Sequence, residues 1–158
     1  MKKVADFMVP YPKYCAPHES LPHVARQMWN CNVGSLPVVD DFKRVVGIIT
    51  DRDVCLAVGR ETRPLAEIMV HELMSAPVYT CKSDDDASYA LKLMRTRQVG
   101  RLPVVDEEKR LKGIVSLNNI ARAVYGTDDA PEVLYIGEEN ILTTLQTIAE
   151  RNHSMESV

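Results

Sequence analysis

VGSLPVVDDFKRVVGIITDRDVCLAV, residues 33–58, has a near copy further along the chain: VGRLPVVDEEKRLKGIVSLNNIARAV, residues 99–124. The offset is 66 throughout, and 13 of these 26 positions are identical. The same register runs upstream without a gap, aligning Met8 with Met74, Cys15 with Cys81 and Met28 with Met94. The chain therefore holds two copies of one unit of roughly 50 residues. Two copies are too few for a solenoid, in which each repeat leans on its neighbours. Packing the pair face to face about a pseudo-twofold axis lets each copy bury the other's apolar surface.

Within each copy, strand runs alternate with helix periods. In the second, Val78–Cys81 reads as a short opening strand. Ser83 and the run Asp84, Asp85, Asp86 then precede an apolar-periodic helix through Ala87, Ala90, Leu91 and Met94. Acids in a first helical turn oppose the helix dipole favourably. Leu102–Val105 is the next strand, Asp106–Lys109 a charged turn, Leu111–Val115 a third strand and Leu117–Val124 a helix. The first copy repeats this order, with a weaker opening strand near Lys13–Ala16 and a helix starting near Ser20, Leu21 and Pro22. Each unit is thus β-α-β-β-α, an α/β chain of the α+β type. Gly47 and Gly113 interrupt the third strand of each copy, where a missing side chain leaves room for another group.

Domain organisation follows. Residues 1–59 form the first repeat with its N-terminal lead, and 60–124 a linker helix with the second repeat. Residues 125–158 are a C-terminal extension with an amphipathic helix at about 139–152, and the last residues are expected to fray.

The totals exclude several classes. With 158 residues, 46% hydrophobic and 26% charged, the chain suits a soluble globular protein. A net charge of −3 gives no electrostatic reason to expect nucleic acid or an anionic membrane as partner. No apolar run is long enough to span a bilayer, and the start lacks the apolar stretch of a signal peptide, so a cytoplasmic location is expected. The cysteines, Cys15, Cys31, Cys55 and Cys81, form no C-x-x-C pair, and His18, His23, His71 and His153 show no metal spacing. No nucleophile–base constellation is apparent, so the chain is not read as an enzyme and no cofactor is required.

The polar cluster Thr50, Asp51, Arg52, Asp53 stands at the mouth of an apolar strand. It can cap the following helix, or hold a ligand, or both. The doubled V-G-x-L-P-V-V-D followed by G-I-h-[T/S]-x-x-[D/N] resembles the cystathionine-β-synthase (CBS) domain, and the tandem resembles a Bateman module, over roughly residues 4–124. The resemblance implies two units packed sheet to sheet, a homodimer of such modules, and adenosine-containing ligands bound in clefts between paired units. Candidate ligands are AMP, ADP and ATP, with S-adenosylmethionine or NAD as alternatives. A pair without an attached enzyme resembles a ligand-sensing regulator of some other, unknown protein target. The alternative is a ligand-free dimerisation or interaction module.

Carried over residue by residue, the first site comprises Ile48 and Val78 as apolar floor, Tyr79 as ring contact, Thr50 and Asp53 as sugar ligands and Arg101 as phosphate cation. A carboxylate can accept from both hydroxyls of a ribose, and amides at a helix start favour an anion. The second site is poorer: Lys13, Ile114, Ser116 and Asn119, with Ser35 where the first has Arg101. Unequal sites are expected, the Thr50/Asp53/Arg101 site being the tighter.

Overall fold

The computed structural model describes residues 2–125 and 143–148. Its elements run β1 (Val9–Pro10), α1 (Leu21–Cys31), β2 (Ser35–Val39), β3 (Val45–Thr50), α2 (Asp51–Arg60), α3 (Val70–Leu73), α4 (Ala87–Arg97), β4 (Arg101–Val105), β5 (Leu111–Ser116) and α5 (Leu117–Tyr125). They divide into two compact units. One holds Tyr11–Val78 and Val105–Leu111; the other holds Met1–Pro10, Tyr79–Val104 and the chain from Lys112. The mixed helix-and-strand class and the repeat order are those expected from the sequence.

In the Tyr11–Val78 unit, β2 and β3 pair antiparallel with Ser35 opposite Thr50 and Pro37 opposite Ile48. Leu21, Val24 and Met28 of α1 and Ala57 of α2 share one core with Leu36, Val38 and Ile49 of the strands. Along β3 the side chains alternate: Gly47 and Ile49 are buried, whereas Ile48 and Thr50 are half-buried on the opposite face. The second-repeat unit follows the same plan. Its sheet has the order β1–β5–β4, and Cys81, Leu91, Met94, Leu102, Val104, Val115 and Ile120 lie in its core.

The opening strands are shorter than expected. Val78–Thr80 is not strand; only Cys81 bridges Val104, in parallel, as Cys15 bridges Val38. Proline explains the truncation. Cys15 and Cys81 donate to the Pro37 and Pro103 carbonyls at 3.0 and 3.1 Å, but neither proline has an N–H to extend the parallel ladder toward Lys13 or Tyr79.

The leads dock by a rule that chain order does not reveal. Val4 N–H donates to the Asp85 carbonyl and Ala5 N–H to the Ser83 carbonyl, each at 2.9 Å. Sixty-six residues on, Val70 N–H donates to Glu19 and His71 N–H to Pro17, again at 2.9 Å. So the N-terminal lead covers the second repeat, and the linker covers the first. Grouping by packing differs here from the 1–59 and 60–124 grouping by chain order. The leads are only briefly helical: short 3-10 turns, Val4–Asp6 and Leu65–Glu67, followed by β1 in one case and α3 in the other. The acidic run also sits differently. Asp86 is the residue before α4, and its carboxylate pairs with Lys3 Nζ at 2.8 Å, while Asp85 accepts from Lys82 N–H at 2.8 Å.

Gly47 and Gly113 permit that docking. A Cβ on Gly47 would stand 2.5 Å from Met74 Sδ and 3.1 Å from the Ser75 carbonyl oxygen. On Gly113 it would meet Met8 Sδ at 2.7 Å and the Val9 carbonyl oxygen at 3.1 Å. The room left by each glycine is filled by a lead, which bridges the strand at Ile48–Ser75 and pairs with it at Ile114–Val9. Of the helix expected over 139–152, residues 143–148 are helical, with Thr144 buried and Ile148 against the second-repeat core. The remainder of the C-terminal extension lies outside the described residues.

All four cysteines are free. Burial, with a smaller contribution from Glu19, pushes the Cys15 thiol up to about 12; burial and Asp85 do the same for Cys81. A thiol that stays protonated is a poor nucleophile, as suits two core residues.

Three outcomes are expected. Gly47→Ala and Gly113→Ala each lower unfolding free energy by about 1–3 kcal/mol in urea titrations, because the thioether can swing away but the carbonyl cannot. At pH 8 a thiol reagent labels exposed Cys55 at once and reaches Cys15 and Cys81 only with denaturant. Both core thiols have raised folded pKa values, so their contribution is fully present below about 9 and is lost as pH rises toward 12. A melting temperature flat from pH 9 to 11 would contradict this.

Candidate functional site

The strand-to-helix junction after β3 is closed by two side chains. Thr50 N–H donates to Asp53 Oδ2 at 2.8 Å, and Thr50 Oγ1 donates to the same oxygen at 2.7 Å. In return Asp53 N–H donates to Thr50 Oγ1 at 3.2 Å. Thr50 is the N-cap of α2 and Asp53 the third residue of the helix, so the pair forms a reciprocal capping box. Its cause is local: a hydroxyl at the last strand residue, and a carboxylate one turn later that reaches back.

Asp53 Oδ2 is therefore spent on the cap. Among the described residues no hydrogen bond uses Oδ1, and the side chain is half-buried. Ile48 lies two residues before Thr50 on the same face of β3. This junction offers an apolar side chain, one free carboxylate oxygen and the amides of a helix start.

The second repeat builds the same box from neutral parts. Ser116 N–H donates to Asn119 Oδ1 at 3.1 Å, Ser116 Oγ donates to it at 2.5 Å, and Asn119 N–H donates to Ser116 Oγ at 3.1 Å. The amide oxygen faces the cap, which leaves Nδ2, a donor, where Asp53 has an acceptor. Ile114 is half-buried on the outer face of β5, as Ile48 is on β3. Capping is thus satisfied equally by both sets, and only the outward chemistry differs.

Of the expected residues, Thr50 and Asp53 touch, as do Ser116 and Asn119. Ile48, Val78 and exposed Lys13 belong to the same unit as Thr50; Tyr79, Arg101, Ile114, Ser116 and Asn119 belong to the other. Val78 is half-buried, and Arg101 opens β4, also half-buried. The Arg97 guanidinium lies 4.6 Å from the centre of the Tyr79 ring, so one face of that ring already has a partner. The pair could have been suspected only by knowing that α4 ends beside the opening segment.

Sequence reading also missed a groove in the Tyr11–Val78 unit. It has a volume of about 350 Å³ and is lined by Ala25, Trp29, Val33, Asp51 and Val54, among others. Trp29 is 85% exposed, and Leu56 and Val58 of α2 are also exposed. A tryptophan placed outward on an otherwise amphipathic helix is the signal that could have marked this face. No helix among the described residues is long and apolar enough to cross a membrane.

The CBS domain family model matches twice, at residues 4–60 and 70–126. An uncharacterized protein of Methanopyrus kandleri, MK0525, is 33% identical over 105 residues, which are 66% of this chain and 54% of that protein. Inosine-5'-monophosphate dehydrogenase of Mycobacterium tuberculosis is 36% identical over 122 residues, 77% of this chain but 22% of the enzyme. The chain thus aligns with about half of one relative and about a fifth of the other. Among solved structures, the CBS domain pair of protein MJ0100, in complex with 5'-methylthioadenosine and S-adenosyl-L-methionine, is similar at TM-score 0.70 and 27% identity, covering 78% of this chain and 95% of that one. CBSX2 in complex with AMP is similar at TM-score 0.67 and 26% identity, covering 78% and 96%. With two matched copies that account for most of its length, the chain belongs to the CBS domain family as a tandem pair.

Proposed function

We propose that this CBS pair is a ligand-sensing regulatory module, not a catalyst, and that it binds an adenosine-containing ligand of the AMP, ADP or ATP class. One observation carries the reading: the Thr50–Asp53 box leaves a carboxylate oxygen unengaged beside a half-buried isoleucine and a helix start. Capping alone does not require that oxygen, since Asn119 caps α5 without it. A free carboxylate oxygen suits a ribose hydroxyl. Methylthioadenosine, S-adenosylmethionine and AMP, held by the similar structures, share the adenosine. Val78 and Tyr79 contribute to the base contact in this proposal, and Arg101 meets the phosphate. The second set, Lys13, Ile114, Ser116 and Asn119, binds more weakly, because a neutral amide replaces the charge-assisted acceptor.

The capping box supplies a clean test. Asp53→Asn keeps an acceptor for Thr50, as Asn119 does for Ser116, so melting without ligand stays close to wild type. Affinity for AMP by calorimetry falls about tenfold, or about 1.4 kcal/mol. Arg101→Ala weakens AMP more than adenosine. Asn119→Ala has the smaller effect. Unchanged AMP affinity in Asp53→Asn would remove the ligand role and leave only the cap. A thermal-shift panel of AMP, ADP, ATP, NAD and S-adenosylmethionine fixes the ligand, since one that binds only the native state raises the midpoint. If none does, the interaction-module reading takes its place.

We also infer homodimerisation through the outer face of α1 and α2 in the first repeat. Trp29 and Val58 expose apolar surface there, and the position equivalent to Trp29 in the second repeat is Arg95. Trp29→Glu is expected to convert a dimer into monomer in sedimentation runs at micromolar concentration. A wild type that sediments as a monomer, or a variant that stays dimeric, would contradict pairing through this face.

A further inference from the structure

Tyr79 meets a cation on one face of its ring. The Arg97 guanidinium stands 4.6 Å from the ring centre, and the tyrosine is 40% exposed. Arg97 is the last residue of α4, which ends where Gln98 turns left-handed at a φ of 52°. Among the described residues neither the Arg97 guanidinium nor the Tyr79 hydroxyl joins an ion pair or a hydrogen bond. Tyr79 stands two residues before Cys81, and Arg101 three before Val104, the residue that Cys81 bridges. Ring and proposed phosphate cation thus enter from the same end of the same unit.

The duplicate separates this arrangement from a packing requirement. The positions matching Tyr79 and Arg97 are Lys13 and Cys31, so ring and cation are absent together from the first repeat. Its opening segment nevertheless bridges Val38 through Cys15, just as Cys81 bridges Val104. The fold of the segment therefore does not need the pair. The first repeat has a ring–cation contact of its own, one residue along, at Tyr14. There Lys43 Nζ stands 4.2 Å from the ring centre and also donates to the hydroxyl at 2.5 Å. The single cation takes both a face and the polar end of that ring, whereas the Tyr79 hydroxyl stays uncommitted.

At an exposed position such a contact adds little stability. Its consequence is order. A ring that must be fixed on binding costs the ligand affinity, and a ring already held does not. We propose that Arg97 is a positioning residue, resting on the adenosine reading above: it holds the Tyr79 ring so that the opposite face stacks on the purine. Arg97 touches the ring and not the ligand. Its effect therefore reaches the base, and the phosphate is left to Arg101.

Calorimetry on the full chain, with AMP and with adenosine, tests this. Arg97→Ala weakens both by the same factor, about three- to fivefold, whereas the Arg101→Ala loss is larger for AMP. Tyr79→Ala weakens both at least as much. Adding Arg97→Ala to it costs nothing further, because the cation then has no ring to hold. Arg97→Lys keeps a cation and recovers part of the loss. Arg97 is exposed, so circular dichroism and melting without ligand stay as in wild type. An Arg97→Ala protein that binds AMP as tightly as wild type overturns the proposal. So does a loss confined to AMP, which would put the guanidinium on the phosphate, and so do losses that add in the double variant. A wild type that binds neither ligand removes the adenosine reading itself, and the role of Arg97 with it.

Discussion

Each repeat owns a sheet with too few strands to close its own core, and the closure comes from a lead. That docking is possible only because β3 and β5 carry glycine where the lead crosses. A methyl group at Gly47 or Gly113 would stand 3.1 Å from a backbone carbonyl that cannot move independently of the bridge it belongs to. The bridge in turn places Met74 or Met8 over the strand and brings Val70 or Val4 into the core. Remove the close approach and the buried face of the strand loses its cover. The helix start that follows the strand then has no fixed position from which to present its polar side chains.

At the helix start, one arrangement answers two demands. A strand that runs straight into a helix leaves amides without partners, and a hydroxyl plus an acceptor one turn later satisfies two of them. Asparagine does this as well as aspartate, as the Ser116–Asn119 box shows. Aspartate adds a second anionic oxygen that the cap does not use. The duplicate acts as an internal control that a single copy could not supply: what both boxes share belongs to the fold, and what they do not share is available for binding.

The repeat and the helix and strand order were legible because hydrophobic periodicity and a gap-free duplication both act along the chain. The capping box was legible too, being a contact over three residues. Other features were not. Which repeat a lead covers depends on backbone bonds such as Val4 to Asp85, and nothing in residues 1–10 distinguishes a near partner from a distant one. The opening strands look longer in sequence because Val78–Cys81 is rich in strand-forming residues, whereas Pro103 in the facing strand has no N–H to pair beyond the single Cys81 bridge. The space beside Gly47 was expected to admit another group, and that group is Met74. The meeting of His18 with His71, and of Tyr79 with Arg97, rests on tertiary contact alone.

The differences between the copies fall in one pattern. Core positions match in kind: Cys15 and Cys81, Leu36 and Leu102, Val38 and Val104, Gly47 and Gly113. Outward positions diverge: Trp29 against Arg95, Asp53 against Asn119, His18 against Asp84, Lys13 against Tyr79. Packing tolerates little change, because a side chain one methylene too large or small is felt throughout a close-packed interior. Surface positions have no such restraint, so their divergence is free to assign different tasks to the two halves. Two equal halves would offer two equal ligand sites and two equal faces for a partner. This chain instead concentrates its exposed tryptophan, its free carboxylate and its histidine pair in the first repeat. A ligand shifts an equilibrium only by its different affinities for two arrangements, and unequal halves give ligand and partner different surfaces through which to favour one of them.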